Sequence, residues 1–190
     1  MPYNADAVVR VNVSDGGMAA FNGWPSGVAL SVGSGAFGGG AFDGVSIWMG
    51  PFNADVVVRM YTGSGNMTPY AWPTAFSSFS SLGEKFNVCI FDGVSVWLIP
   101  WGAKAAVRVT LNGTGIAVAA FSNASMGFGT VGAFNGGVFD GASMWLMPSA
   151  ATAVVRINVS DGAMRVYDRW PNARASFGSF QGGAFDGAAV

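Results

Sequence analysis

Short apolar runs alternate with glycine-rich breaks along the whole chain, and no stretch carries apolar residues at helical spacing. In residues 134–171 the runs are Gly137–Phe139, Ser143–Met147, Val154–Val159 and Met164–Tyr167. Asp140-Gly141 separates the first pair, and Asp161-Gly162 lies between the third and fourth. Asp-Gly between apolar runs is a strong hairpin signal, because a type I′ turn needs positive φ at both central residues. Pro148 marks the loop from the second run to the third. Glycine and β-branched residues suit strands here, so the pattern predicts a small antiparallel sheet of four strands. On the third strand of the first such unit, Val56 and Val58 point one way and Val57 the other. Both faces are therefore apolar, as in a sheet covered on both sides.

The unit repeats. Phe-Asp-Gly occurs at Phe42, Phe91, Phe139 and Phe185, in steps of 49, 48 and 46 residues. The motif brings Asp43, Asp92, Asp140 and Asp186 into register. A tryptophan follows at constant distance in three units (Trp48, Trp97, Trp145), then a proline (Pro51, Pro100, Pro148). An arginine recurs inside a valine-rich run, at Arg10, Arg59, Arg108 and Arg156. Phe37, Phe86, Phe134 and Phe180 each stand five residues before the phenylalanine of the motif. Four-stranded sheets that cover one another stack around an axis, and a period of about 48 residues fits a propeller blade of roughly 40–50. The predicted fold is all-β: a β-propeller in which glycine-rich first strands crowd the central channel.

Complete blades are expected at 37–73, 86–122 and 134–171. Residues 1–25 read as the third and fourth strands of a further blade (Ala7–Val13 and Met18–Trp24), and 180–190 as its first strand and part of its second. The expectation is a single domain in which the two ends meet in one composite blade. The competing outcome is an array whose ends pair with another chain. A piece of a longer repeat protein would carry the same pattern.

Composition narrows the function classes. The chain has 190 residues, 51% of them apolar and only 10% charged, and a net charge of -1. A nucleic-acid binder needs a basic stripe to neutralise phosphates, and no such stripe is present. A polybasic membrane surface and a spanning apolar segment are likewise missing from the sequence. The absence of histidine and the single cysteine, Cys89, exclude Ser-His-Asp and Cys-His catalytic sites, a structural zinc site and an intrachain disulfide. No cofactor is indicated, and the compartment is left open. Of five Asn-x-Ser/Thr sequons (Asn12, Asn66, Asn112, Asn123, Asn158), those in the repeated NVSDG read better as hairpin turns than as glycan sites.

The succession Gly-x-Ala-x-Asp-Gly, Trp, Pro, an arginine in an apolar run, a glycine turn and Tyr-x-x-x-Pro resembles the streptogramin (virginiamycin B) lyase-like propeller repeat. It shares features with NHL and kelch blades. The resemblance covers essentially the whole chain and implies the fold. The lyase family's chemistry is a magnesium-assisted elimination with a histidine base; this chain has no histidine and one glutamate, Glu84. No catalytic residue carries over.

The repeated aspartates and arginines admit two readings: a ring of carboxylates for a cation or polar ligand, or turn caps and their partners. Recurrence in every blade favours the second. Trp48, Trp97 and Trp145 are expected between blades. Trp24, Trp72 and Trp170, each followed by proline, are candidates for a rim that stacks on sugars, one weak site per blade. Glu84-Lys85 is an adjacent charged pair in the loop before the second complete blade, and Cys89 is expected to be buried and inert. The favoured function is a non-enzymatic binding or scaffold module for a protein or glycan. The alternatives are a lectin or a lyase- or hydrolase-like enzyme using Asp and a divalent metal.

Overall fold

A computed structural model describes residues 1–28, 30, 35–72, 83–171 and 180–190. Among these residues fourteen strands form four antiparallel sheets. The first sheet has two strands, β1 (Val8–Val11) and β2 (Met18–Phe21). Three sheets of four follow. The first contains β3 (Phe37–Phe42), β4 (Ser46–Pro51), β5 (Val56–Tyr61) and β6 (Met67–Ala71). The second contains β7 (Phe86–Phe91), β8 (Val96–Pro100), β9 (Ala106–Asn112) and β10 (Gly115–Phe121). The third contains β11 (Phe134–Phe139), β12 (Ser143–Pro148), β13 (Val154–Asn158) and β14 (Met164–Tyr167). Each sheet runs in chain order, strand beside strand. A single 3₁₀ turn, Ala124–Met126, is the one helical piece among the described residues. The three four-stranded sheets run from Phe37 to Ala71, Phe86 to Phe121 and Phe134 to Tyr167; Pro73 lies outside the described residues.

The alternation along the third strands is what stacks the blades. Val58 and Met60 belong to the core shared with β1 and β2, whereas Val57 belongs to the core shared with the next blade. Trp48 enters that second core beside Phe86, Leu98 and Val107. Trp97 repeats the arrangement one interface later, with Phe134, Leu146 and Val155. The described residues thus form three cores, each lying between two sheets rather than inside one. First strand β7 lies beside the first strands β3 and β11 of both neighbouring sheets, which places the first strands innermost. Glycine is required where they touch: a Cβ on Gly136, at φ 146°, would lie 2.6 Å from Gly182 Cα.

Two expectations differ from the structure. The Asp-Gly hairpins are not type I′ with Asp-Gly at the centre. The loop residues are Gly44-Val45, with positive φ (95°) at the glycine only, and Asp43 N–H donates to Ser46 O. A glycine at the first central position is the II′ pattern, which suits strand twist equally well. The second difference concerns the composite blade. β1 and β2 form a sheet of two, and no ladder joins them to residues 180–190. Instead Phe180 stacks on Trp170 at 5.5 Å, and Gly182 and Gly183 lie against Gly136 and Met147. The tail follows the last blade as an inner strand follows its predecessor, at the opposite end of the arc from β1. The Asp186 turn is nevertheless formed, with Ala188 and Ala189 N–H donating to its carboxylate at 2.8 and 2.7 Å.

Trp97 is fully buried between two sheets, whereas Trp170 is half-buried at a blade end. Trp97→Ala is expected to cost about 3–5 kcal/mol, as for a large core truncation, and Trp170→Ala much less. Denaturant melts check this; equal losses would contradict the interblade placement.

Candidate functional site

The carboxylates of the repeat are consumed by local structure. In the middle blade Asp92 Oδ1 accepts from Val94 N at 2.8 Å and Ser95 N at 2.7 Å. Its Oδ2 accepts from the Trp97 indole at 2.6 Å. Asp43 and Asp140 repeat all three bonds, to Val45, Ser46 and Trp48 and to Ala142, Ser143 and Trp145. The arginines lie over the same indoles: Arg59, Arg108 and Arg156 stand 5.4, 5.7 and 5.3 Å from the Trp48, Trp97 and Trp145 rings. Arg59 also pairs with Asp43 at 3.5 Å. Arg10 and Arg108 instead reach the following blade, donating to Thr62 O at 3.2 Å and Val159 O at 2.7 Å. Among the described residues no three His, Cys, Asp or Glu side chains group as metal ligands.

Burial raises the Asp140 pKa, but the Trp145 indole, the Ala142 and Ser143 amides and Arg156 outweigh it and hold the carboxyl below its ordinary value of 3.8. Asp43 is lowered in the same way, with Trp48, Ser46, Val45 and Arg59 outweighing desolvation.

The other candidates separate. Trp24, Trp72 and Trp170 are half-buried and face the inner phenylalanine of the next unit, with ring centroids 5.7, 5.8 and 5.5 Å from Phe37, Phe86 and Phe180. The Trp24 and Trp170 indoles donate to Asp6 O and Thr152 O. Glu84 stands at φ 57° where the neighbouring loops carry Gly35 and Gly132, both at positive φ. Lys85, 1% exposed, takes the place of Ala36 and Ala133, with its amine 3.7 Å from Asp55. The Cys89 thiol is pushed up to about 12 by burial and sits 3.5 Å from Gly39 O. Such a thiol is inert at neutral pH. The sequon residues Asn12, Asn123 and Asn158 each accept from the backbone and hydroxyl of the serine two residues on, which makes them turn formers.

The first strands also carry polar groups that motif reading passed over. Every complete inner strand has a β-bulge just after its first phenylalanine, between Phe37 and Gly39, Phe86 and Val88, and Phe134 and Gly137. A bulge re-aims the side chain it carries. The bulges of β7 and β11 present Asn87 and Asn135, whose amides hydrogen-bond each other from adjacent blades. Gly38 and Gln181 occupy the same repeat position at the two ends of this row. The signal was the residue after each conserved-spacing phenylalanine: Gly, Asn, Asn, Gln, all uncharged. Two open clefts also repeat, on the hairpins that follow β5 and β13. One, of about 320 Å³, is lined by Arg59, Tyr61, Ser64, Asn66 and Thr68. The other, of about 340 Å³, is lined by Arg156, Asn158, Ala163, Met164 and Arg165.

No family model matches the chain, and no curated protein matches it. Solved structures do. A streptogramin B lyase structure superposes with a TM-score of 0.62 and 18% identity, over 90% of this chain and 51% of that one. A nidogen/laminin complex gives 0.54 and 13% identity, over 86% and 59%. A putative 6-phosphogluconolactonase from Bacteroides uniformis gives 0.50 and 17%, over 84% and 49%. These likenesses define the fold: the chain is a β-propeller repeat protein, of the architecture seen in streptogramin B lyase. It spans about half the length of the lyase and the lactonase that it matches.

Asp140→Ala is expected to lower stability by about 1–2 kcal/mol, since it leaves an indole and two backbone donors without their acceptor. Because the folded pKa is depressed, the carboxylate's stabilisation is complete above 3.8 and is lost as the pH falls through the folded value. Thermal melts between neutral pH and pH 3 should therefore show a decline confined to the acid end and smaller in Asp140→Ala. An unchanged melting temperature in the variant would remove the structural role.

Proposed function

We propose that this chain is a non-enzymatic binding module that presents its channel-side loops to a protein or glycan ligand. The observation that carries this reading is the pair of hydrogen-bonded uncharged amides, Asn87 and Asn135, on bulges of the innermost strands, with Gln181 at the equivalent repeat position. Amides donate and accept at once, and so match peptide groups and sugar hydroxyls. Neutral amides offer no proton of useful pKa for acid–base chemistry. The repeated carboxylates, which an enzyme reading would recruit, already hold turns and indoles.

A lectin reading draws on the two equivalent clefts, where an arginine stands near an asparagine amide in two blades, with hydroxyls added in the first and a second arginine in the other. Repetition of a weak cleft favours a multivalent ligand. Trp24, Trp72 and Trp170 contribute less to it, because an inner phenylalanine already stacks against each indole.

Glycan and peptide arrays test the proposal, followed by titration of any hit with Asn87→Ala and Asn135→Ala. At least a tenfold loss of affinity with an unchanged melting temperature is expected. Micromolar binding of Mg²⁺ or Mn²⁺ that Asp43→Asn or Asp92→Asn abolishes would replace the proposal with the metal-enzyme reading.

A further inference from the structure

The two hairpin clefts are equivalent in position but not in chemistry. Across the last two strands of a sheet the recurring arginine faces a small neutral residue in three places: Arg10 faces Ala19, Arg59 faces Thr68 and Arg108 faces Ala119. In the last complete blade it faces a second arginine, as Arg156 stands opposite Arg165. Like charges directly opposed on antiparallel strands destabilise the pair of strands. Only nine residues of the whole chain are Lys or Arg, so their meeting here is a local concentration of charge. A repeat that departs at one position, and toward a cost in stability, marks a residue that folding alone does not account for.

The protein does not neutralise this pair. Among the described residues the ion pairs are Arg59 with Asp43 and Lys85 with Asp55, and neither Arg156 nor Arg165 takes part in one. The turn carboxylate of the same blade, Asp140, is held by the Trp145 indole and the Ala142 and Ser143 amides. Arg156 is itself fixed in place. Its Nε donates to Ser143 Oγ at 2.8 Å, and its guanidinium carbon lies 5.3 Å from the centre of the Trp145 ring. That tether uses only Nε and leaves the two terminal nitrogens as a planar fork. Arg165 is exposed on the outermost strand, β14.

The polar side chains that line this cleft of about 340 Å³ offer donors. Asn158 Oδ1 already accepts from Ser160 N and Oγ at 2.9 and 2.8 Å, so its amide nitrogen is the group left to offer. Ala163 and Met164 bring no charge. The first-blade cleft differs, because the hydroxyls of Tyr61, Ser64 and Thr68 donate or accept. That set suits the hydroxyls of a neutral sugar. A donor set with two guanidinium groups suits an oxyanion, since each fork matches a pair of anionic oxygens. A following blade does not close such a cleft: β7–β10 follow the first blade, and Thr68, the counterpart of Arg165, is still exposed beside an open cleft.

We infer, resting on the lectin reading of these clefts, that the cleft at Arg156 and Arg165 selects acidic saccharides and seats a carboxylate or sulfate group on the two guanidinium groups.

Calorimetric titration with three oligosaccharides of equal length tests this: one built of uronic acids, one sulfated and one neutral. At least one acidic ligand should bind at least about tenfold more tightly than the neutral one at low salt, and the preference should shrink as salt is added. The uronate and sulfate arms separate the two sources of the anion. Arg165→Thr installs the first blade's residue. It should abolish the preference, leave neutral binding unchanged and hold or raise the melting temperature, because the like-charge pair is gone. Acidic binding no tighter than neutral binding, or a preference that survives Arg165→Thr, would overturn the inference and leave the lectin reading standing. Failure of all three saccharides to bind would overturn both. If the variant does not fold, the comparison of the three ligands on the wild-type chain decides alone.

Discussion

The first hairpin of each blade hangs on a carboxylate that does two things at once. One oxygen of Asp92 takes the two backbone N–H groups that the tight loop leaves without partners, and the other takes the Trp97 indole. The turn is thereby tied to the aromatic ring that fills the interface with the next blade. Arg108 lies over the same ring and donates to Val159 O on that next blade. Turn, sheet and interface are connected through three side chains, and any one of them lost loosens the other two. A protein with so few charges keeps these partly buried ones because each is hydrogen-bonded.

This constraint explains why stacking, rather than folding of a single sheet, stabilises the molecule. Every buried cluster spans two sheets, so a lone blade has no core of its own. Stability in such arrays is carried by nearest-neighbour interfaces. Among the described residues the end sheets are accordingly the least covered: Val9 and Val11 on β1 are exposed, and Trp145 is only half-buried. The same residue types that are buried inside the arc are exposed at its ends.

Much of this was legible because the repeat places identical residues in identical surroundings. The Asp-Gly, Trp and Arg positions announced the turn, the interface and the strand between them, and Val57-Val58 announced a sheet covered on both sides. What escaped reading had local causes. Asp-Gly suggested a type I′ turn, but the carboxylate bonds shift the loop one residue on, so that only the glycine needs positive φ. The bulges that aim Asn87 and Asn135 leave no apolar period to detect, since a bulge is an extra residue in one strand only. Glu84 at φ 57° took a glycine's place and looked like a charge in a loop. Whether the ends of the arc meet was not decided by residue pattern, since a composite blade and two half-blades carry the same motifs.

A double-mutant cycle between Asp92→Ala and Trp97→Phe probes the central link most directly. Phenylalanine keeps most of the ring and removes only the N–H that Asp92 Oδ2 accepts. If one hydrogen bond joins turn to interface, the coupling energy from denaturant melts should be about 1–2 kcal/mol. Effects that add to within about 0.3 kcal/mol would show that turn and interface are stabilised independently, and would contradict the account.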